Sequence, residues 1–206
     1  MSELLPAGSP DAIGTACQVL AAGLPVGVPT DAAYVLAVDP FAAGASDRLF
    51  AVLRRPRNLD LPVLVASVAQ VERFTTALPE AAQRLMQRCW PGPLTLVLPR
   101  HPDLAADLGD DDLTVGLRMP SNPATRNLCA LCGPVAVATA APGPGQPALQ
   151  TAPAVVEAFG DVVPVVLDGG RCAGQHSTVV DATGTDPHLI REGRLPWLEV
   201  LEAIKG

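Results

Sequence analysis

Twenty-two prolines and eighteen glycines cut the apolar stretches of this 206-residue chain into short runs, and they are spread along it without pooling into a low-complexity tract. Proline removes a backbone donor and glycine tolerates tight turns, so this punctuation predicts short strands and helices joined by turns. Hydrophobic residues make up 49% of the chain, enough to build the core of one domain of ordinary size. No internal repeat is present. The densest punctuation, residues 141–147, reads as an exposed loop between two ordered halves, too short to link two domains.

Local signals place the elements. Ser9-Pro10-Asp11 offers a capping hydroxyl, a proline for the first turn and an acid at the positive end of the helix dipole, which predicts a helix to about Ala22 that stops at Gly23. Strands are expected at 26–28, 34–38 and 62–66, with a helix near 47–53 that carries Leu49, Phe50 and Leu53 on one face. Residues 79–88 and 123–132 read as helices, and 94–98, 114–117, 135–138, 164–167, 178–181 and 188–191 as strands. A closing helix over 196–204 is expected to turn Leu198, Leu201 and Ile204 inward. Strands and helices mix without strict alternation, so the expected fold is an α/β sandwich around a twisted sheet with parallel and antiparallel pairs.

Charge narrows the function. Fourteen basic against 21 acidic side chains leave a net charge of −7, with no global positive field to attract a nucleic-acid backbone. No stretch approaches the ~20 apolar residues of a membrane span, and Met1-Ser2-Glu3 lacks the basic and then apolar layout of a secretion signal. A cytoplasmic protein is expected. Its five cysteines, Cys17, Cys89, Cys129, Cys132 and Cys172, are odd in number without a secretory context, which predicts free thiols filling the core. Thirteen of the basic residues are arginines; the single lysine, Lys205, lies beside the C-terminus, so chemistry that needs an ammonium group inside the fold is closed to the chain.

Polar residues flanked by proline or glycine sit at several strand ends, where an α/β sheet presents a ligand cleft. The segments are 29–34 (Pro-Thr-Asp-Ala-Ala-Tyr), 54–56 (Arg-Arg-Pro), 90–95 (Trp-Pro-Gly-Pro-Leu-Thr), 114–118 (Thr-Val-Gly-Leu-Arg), 176–181 (His-Ser-Thr-Val-Val-Asp) and 190–193 (Ile-Arg-Glu-Gly). In this order and spacing the chain resembles the YrdC-like family of L-threonylcarbamoyl-AMP synthases across residues 10–193. The resemblance implies a single twisted α/β domain with a large concave cavity, followed by a C-terminal helix over 194–206 on the same domain. It further implies condensation of L-threonine, bicarbonate and ATP, with Mg²⁺ on the polyphosphate, to threonylcarbamoyl-AMP and pyrophosphate. A downstream enzyme would then carry the threonylcarbamoyl group to an adenosine beside the tRNA anticodon.

Such chemistry needs cations and N–H or O–H donors that hold phosphates and carboxylates, a task that suits arginine. By position in the motifs, Thr30, Arg118 and Ser177 match the family's threonine side, and Arg55, Thr114, Thr139 and Arg191 match its nucleotide side, with Arg55 also the catalytic cation. Departures stand beside these matches. The family's Lys-x-Arg-Pro is Leu53-Arg54-Arg55-Pro56, the asparagine of its Ser-Ala-Asn is Ala141, the glycine after its tyrosine is Val35, and an asparagine and a histidine of longer members are Leu59 and Leu64.

Two readings stay open: a synthase, or a non-catalytic module of the same fold that binds a nucleotide or double-stranded RNA. Leu64 in place of a polar ring also admits an amino acid other than threonine. Plainer readings accompany each motif. Leu53 follows Leu49 by one helical turn and suits a core, while Arg54 and Arg55 suit a solvated helix end. Trp90-Pro91-Gly92-Pro93 reads as a rigid turn, Cys129-x-x-Cys132 as core, Asp110-Asp111-Asp112 as a solvated turn, and His176-Ser177 as a pair lacking the acid that a hydrolase triad needs.

Overall fold

The computed structural model describes residues 2–205. The first half comprises β1 (Glu3–Pro6), α1 (Pro10–Ala21), β2 (Val26–Pro29), β3 (Tyr34–Val38), α2 (Ala45–Leu53), β4 (Val63–Leu64), α3 (Val68–Val71) and α4 (Glu80–Cys89). Then come β5 (Leu94–Pro99), β6 (Thr114–Arg118), α5 (Pro123–Cys132), β7 (Val135–Thr139), α6 (Ala152–Phe159), β8 (Val165–Asp168), β9 (Thr178–Asp181), β10 (His188–Arg191) and α7 (Trp197–Lys205). The strands form one mixed sheet in the order β1-β8-β2-β3-β7-β4-β6-β5-β9-β10.

Side chains alternate across the sheet because successive residues of a strand point to opposite faces. On β3, Tyr34, Leu36 and Val38 enter one core, while Val35 and Ala37 enter the other. The back core takes side chains from α2, α4, α6 and α7. On the front, α1 and α5 cover β2, β3, β7 and β8 through Ala12, Ile13, Ala16, Leu20, Leu128 and Cys129. That leaves the front of β6, β5 and β9 without a helix, and Arg118, Gly116, Thr95, Val97, Ser177 and Val179 line a cavity there.

Helix starts follow the expected chemistry. Ser9 Oγ accepts the Ala12 N–H at 3.4 Å, and Asn122 Oδ1 accepts those of Ala124 and Thr125 at 3.0 and 3.3 Å. Each such cap contributes about 1 kcal/mol. β1, α3 and α6 went without a signal, since β1 is four residues at the sheet edge with one neighbour, α3 is a single turn of four residues and α6 opens with Pro153 close behind a proline-rich loop.

Two expectations are corrected. Leu198 is 67% exposed, and α7 instead buries Val200 and Ala203 with Trp197 and Ile204 packed beside them. Contact with α4 rotates the helix, and Arg84 donates to the Ile204 carbonyl at 2.9 Å. Cys17 and Cys132 are joined in a disulfide, with Cα atoms 5.4 Å apart and a sequence separation of 115. Parity of the cysteine count cannot register this pair, because packing of α1 on α5 brings the two together. Cys89, Cys129 and Cys172 are free.

Candidate active site

A cavity of about 550 Å³ occupies the bare half of the front face. Its floor is built from alternate residues of adjacent strands, so guanidinium and hydroxyl groups project from a rigid platform. Apolar side chains close one end, where Val35, Leu64 and Val137 extend the front core to the cavity wall.

Arg118, the last residue of β6, is 6% exposed. Its Nε donates to the Gly92 carbonyl at 3.1 Å, and Nη2 donates to Asp31 Oδ2 at 2.7 Å. Asp31 Oδ1 accepts the Ser121 N–H at 3.0 Å. Burial pulls the Arg118 guanidinium down from the usual arginine range and Asp31 opposes the pull. Two contacts thus fix the plane of the fork and leave Nη1 for a ligand. Gly92 owes its position to the Trp90-Pro91 turn, where a cis peptide and an indole N–H bond to the Leu94 carbonyl at 2.7 Å shape the chain.

Thr30 sits at the tip of the β2–β3 hairpin. Its hydroxyl donates to the Ala33 carbonyl at 2.7 Å and accepts the N–H groups of Ala32 and Ala33, each at 3.1 Å. That hydroxyl is committed to shaping the loop that presents Asp31. Ser177 Oγ lies 2.9 Å from Thr95 Oγ1, and His176 makes no bond to it, so no hydrolase pair forms. Thr139 lines the cavity at the end of β7 opposite Val35.

At the other end, Arg55 Nε and Nη2 donate to the carbonyls of Leu59 and Asp60 at 2.7 and 2.9 Å. Burial and then the neighbouring Arg191 lower its affinity for the proton, with Asp60 opposing. The turn that carries Arg55 is pinned by Arg57, which donates to Asp47, Asp107 and Asp110 at 2.5, 2.6 and 3.3 Å. Asp60 Oδ1 accepts the Asp111 N–H at 3.2 Å, and Asp111 in turn accepts the Thr114 hydroxyl. A side chain at Gly109 would lie 2.1 Å from Asp60, so only glycine lets these two loops meet. Asp110 and Asp111 are therefore structural anchors rather than a merely solvated turn.

Arg191 reaches the cavity through a β-bulge. Leu189 pairs with Val180 and Arg191 with Val179, which leaves Ile190 as the extra residue. In a regular ladder Ile190 would oppose Val179 and Arg191 would turn to the other face. With the bulge, Arg191 shares the face of Val179 and donates to the Ser177 carbonyl at 3.1 Å. Burial lowers its proton affinity also.

The structure therefore brings together Thr30, Arg55, Thr114, Arg118, Thr139, Ser177 and Arg191, all of which line one cavity. Leu53 does not line it; it is 8% exposed in the back core with Leu49 and Phe50. Ala141 also lies outside the lining. Arg54 is exposed and takes a left-handed backbone at φ 50°, ending α2 and reversing the chain so that Arg55 turns to the cavity. Asp31, Arg57 and Asp60 had no assignment from sequence, because each acts on a partner that folding supplies.

The family profile Sua5_yciO_yrdC, described as telomere recombination, matches residues 18–193. The chain belongs to the Sua5/YciO/YrdC family. A putative threonylcarbamoyl-AMP synthase of Mycobacterium leprae is 34% identical over 209 residues, covering 99% of this chain and 94% of the relative. One of Mycobacterium tuberculosis is 36% identical over 193 residues, covering 93% and 88%. Pyrococcus abyssi Sua5 complexed with L-threonine superposes with a TM-score of 0.85 at 33% identity, covering 94% of this chain and 57% of that longer one. The Sua5/YciO/YrdC fold thus accounts for nearly the whole chain, and it is mixed α/β as the sequence pattern predicted.

Proposed function

We infer that the cavity condenses L-threonine, bicarbonate and ATP to threonylcarbamoyl-AMP and pyrophosphate. The observation that carries this reading is the convergence of three guanidiniums, buried Arg118, partly buried Arg55 and the more exposed Arg191, from three segments in one cavity. Three cations gathered there with Asp31 and Asp60 as the carboxylates beside them call for anionic ligands. The mycobacterial relatives carry the synthase name and the superposed archaeal structure holds L-threonine, which supports the assignment.

In this reading the free Nη1 of Arg118 grips the threonine carboxylate, with Ser177 and the Thr30 loop closing around the amino acid. Arg55 and Arg191 face the phosphates of ATP, with Thr114 and Thr139 at the nucleotide side. The carbamate of threonine then attacks the α-phosphorus and pyrophosphate leaves, with Arg55 and Arg191 spreading the charge that develops on the phosphoryl oxygens. In this reading Mg²⁺ arrives with the polyphosphate of ATP. Among the described residues no helix is long and apolar enough to cross a membrane. The protein works in the cytoplasm and passes its product to a tRNA-modifying enzyme.

The lack of any lysine in the cavity favours a second reading, a non-catalytic nucleotide-binding module; binding of double-stranded RNA is opposed by the net charge of −7. Calorimetry separates the ends of the cavity. Arg118→Gln is expected to abolish L-threonine binding and spare ATP, and Arg191→Gln to do the reverse. Loss of both ligands in both folded variants would reject the assignment of ends.

A further inference from the structure

We propose that His176 is the general base that frees the amino group of the amino acid for carbamate formation, an inference that rests on the synthase reading above. L-threonine arrives as an ammonium ion, whose nitrogen has no lone pair to attack carbon. Something in the cavity must take a proton before the N–C bond can form.

The lining offers few bases. Asp31 lies behind Arg118, outside the lining, and is held by Arg118 and by the Ser121 N–H. Asp60 accepts the Asp111 N–H at the opposite, Arg55 end. His176 lines the same cavity next to Ser177, and its ring makes no hydrogen bond among the described residues. Its main chain is well fixed: the carbonyl accepts the Arg194 N–H at 2.9 Å, and a side chain at Gly193 would lie 2.4 Å from that carbonyl. A fixed backbone with a free imidazole is the arrangement that a proton acceptor requires.

The charged group that acts on the imidazole is Arg191 from β10, with Arg118 from β6 and Arg55 and Asp60 from the turn after α2 around the same cavity. Burial, and then Arg191, hold the imidazole below the usual histidine range, so it is neutral at pH 7. The step balances: ammonium, bicarbonate and neutral His176 give carbamate, water and the imidazolium of His176. The N–C bond forms, a C–O bond of bicarbonate breaks, and the ammonium proton moves to the ring. His176 stands on the solvent side and returns that proton to water, while its transient charge attracts the new carbamate.

The test is the pH profile of L-threonine-dependent pyrophosphate release in wild type and His176→Gln, with bicarbonate itself, not total carbonate, held constant. Wild type should lose rate as pH falls through the lowered value of His176. His176→Gln should be roughly 100-fold slower at pH 7, without that acid limb and with ATP affinity unchanged. His176→Ala should recover rate on addition of imidazole. Retention of the wild-type limb in His176→Gln overturns the inference, whether or not the rate falls, because a displaced loop slows the reaction without removing the limb. Absence of pyrophosphate release from wild type overturns the synthase reading together with it.

Discussion

Removing a guanidinium from water costs several kcal/mol, and Arg118 is tolerable because Asp31, equally buried, meets it at 2.7 Å. Removing one partner strands the other. Asp31→Asn is expected to destabilise the fold by about 3–5 kcal/mol and to weaken L-threonine binding through a misaligned fork; urea unfolding and a threonine titration check both effects. Tyr34 gives a pH test. Its hydroxyl donates to the Gly170 carbonyl and accepts the Gly169 N–H, at 2.9 and 3.2 Å, and burial pushes the phenol up to about 12. A folded value above the unfolded one, about 10, means that the contribution is complete below pH 10 and is lost as pH rises toward 12. Tyr34→Phe should remove this part of the alkaline loss, read as a shallower fall of unfolding free energy with pH; Cys129, also pushed up to about 12, acts equally in both proteins and cancels. At this scale motif position singled out Arg55, Arg118, Ser177 and Arg191, which the fold gathers around one cavity. It could not identify Asp31, whose meaning depends on a partner 87 residues away.

Regular elements deliver these side chains, and one irregular element places Arg191 at the cavity. The bulge absorbs Ile190 as an extra residue of β10 and so keeps Arg191 opposite Val179 on the front face. Deleting Ile190 removes the extra residue, so a regular ladder should form with Arg191 still opposite Val179 and facing the cavity, and binding of both ATP and L-threonine should be kept. Parallel titrations with the two ligands check it. Strand identity was legible for β10 because residues 188–191 follow a turn and carry two aliphatic side chains, but a bulge leaves no mark in composition. The end of α2 shows the complementary case. Leu53 was legible as core from its spacing to Leu49, and the structure places it behind the sheet. Position 53 therefore carries core and no charge, and the cations at the cavity are Arg55, Arg118 and Arg191.

For the molecule as a whole, the cavity exists because α1 and α5 cover one half of the front face and no helix among the described residues covers the other. Five of the seven helices among the described residues were legible in the sequence, but which face each one packs on is set by the crossovers of the sheet, which the local pattern does not encode. The Cys17–Cys132 disulfide locks α1 to α5, and its 115-residue loop restricts the unfolded chain. Reduction should lower stability by about 2–4 kcal/mol, seen as a lower denaturation midpoint with reductant and reproduced by Cys17→Ser. The central claim is that the three arginines on the bare half form the site of threonylcarbamoyl-AMP synthesis. The most direct test is pyrophosphate release by the purified protein with ATP and Mg²⁺, leaving out L-threonine and bicarbonate in turn. Release that requires both is the predicted result. Folded protein that binds ATP and L-threonine but releases no pyrophosphate with all components present would contradict the claim and leave a binding module.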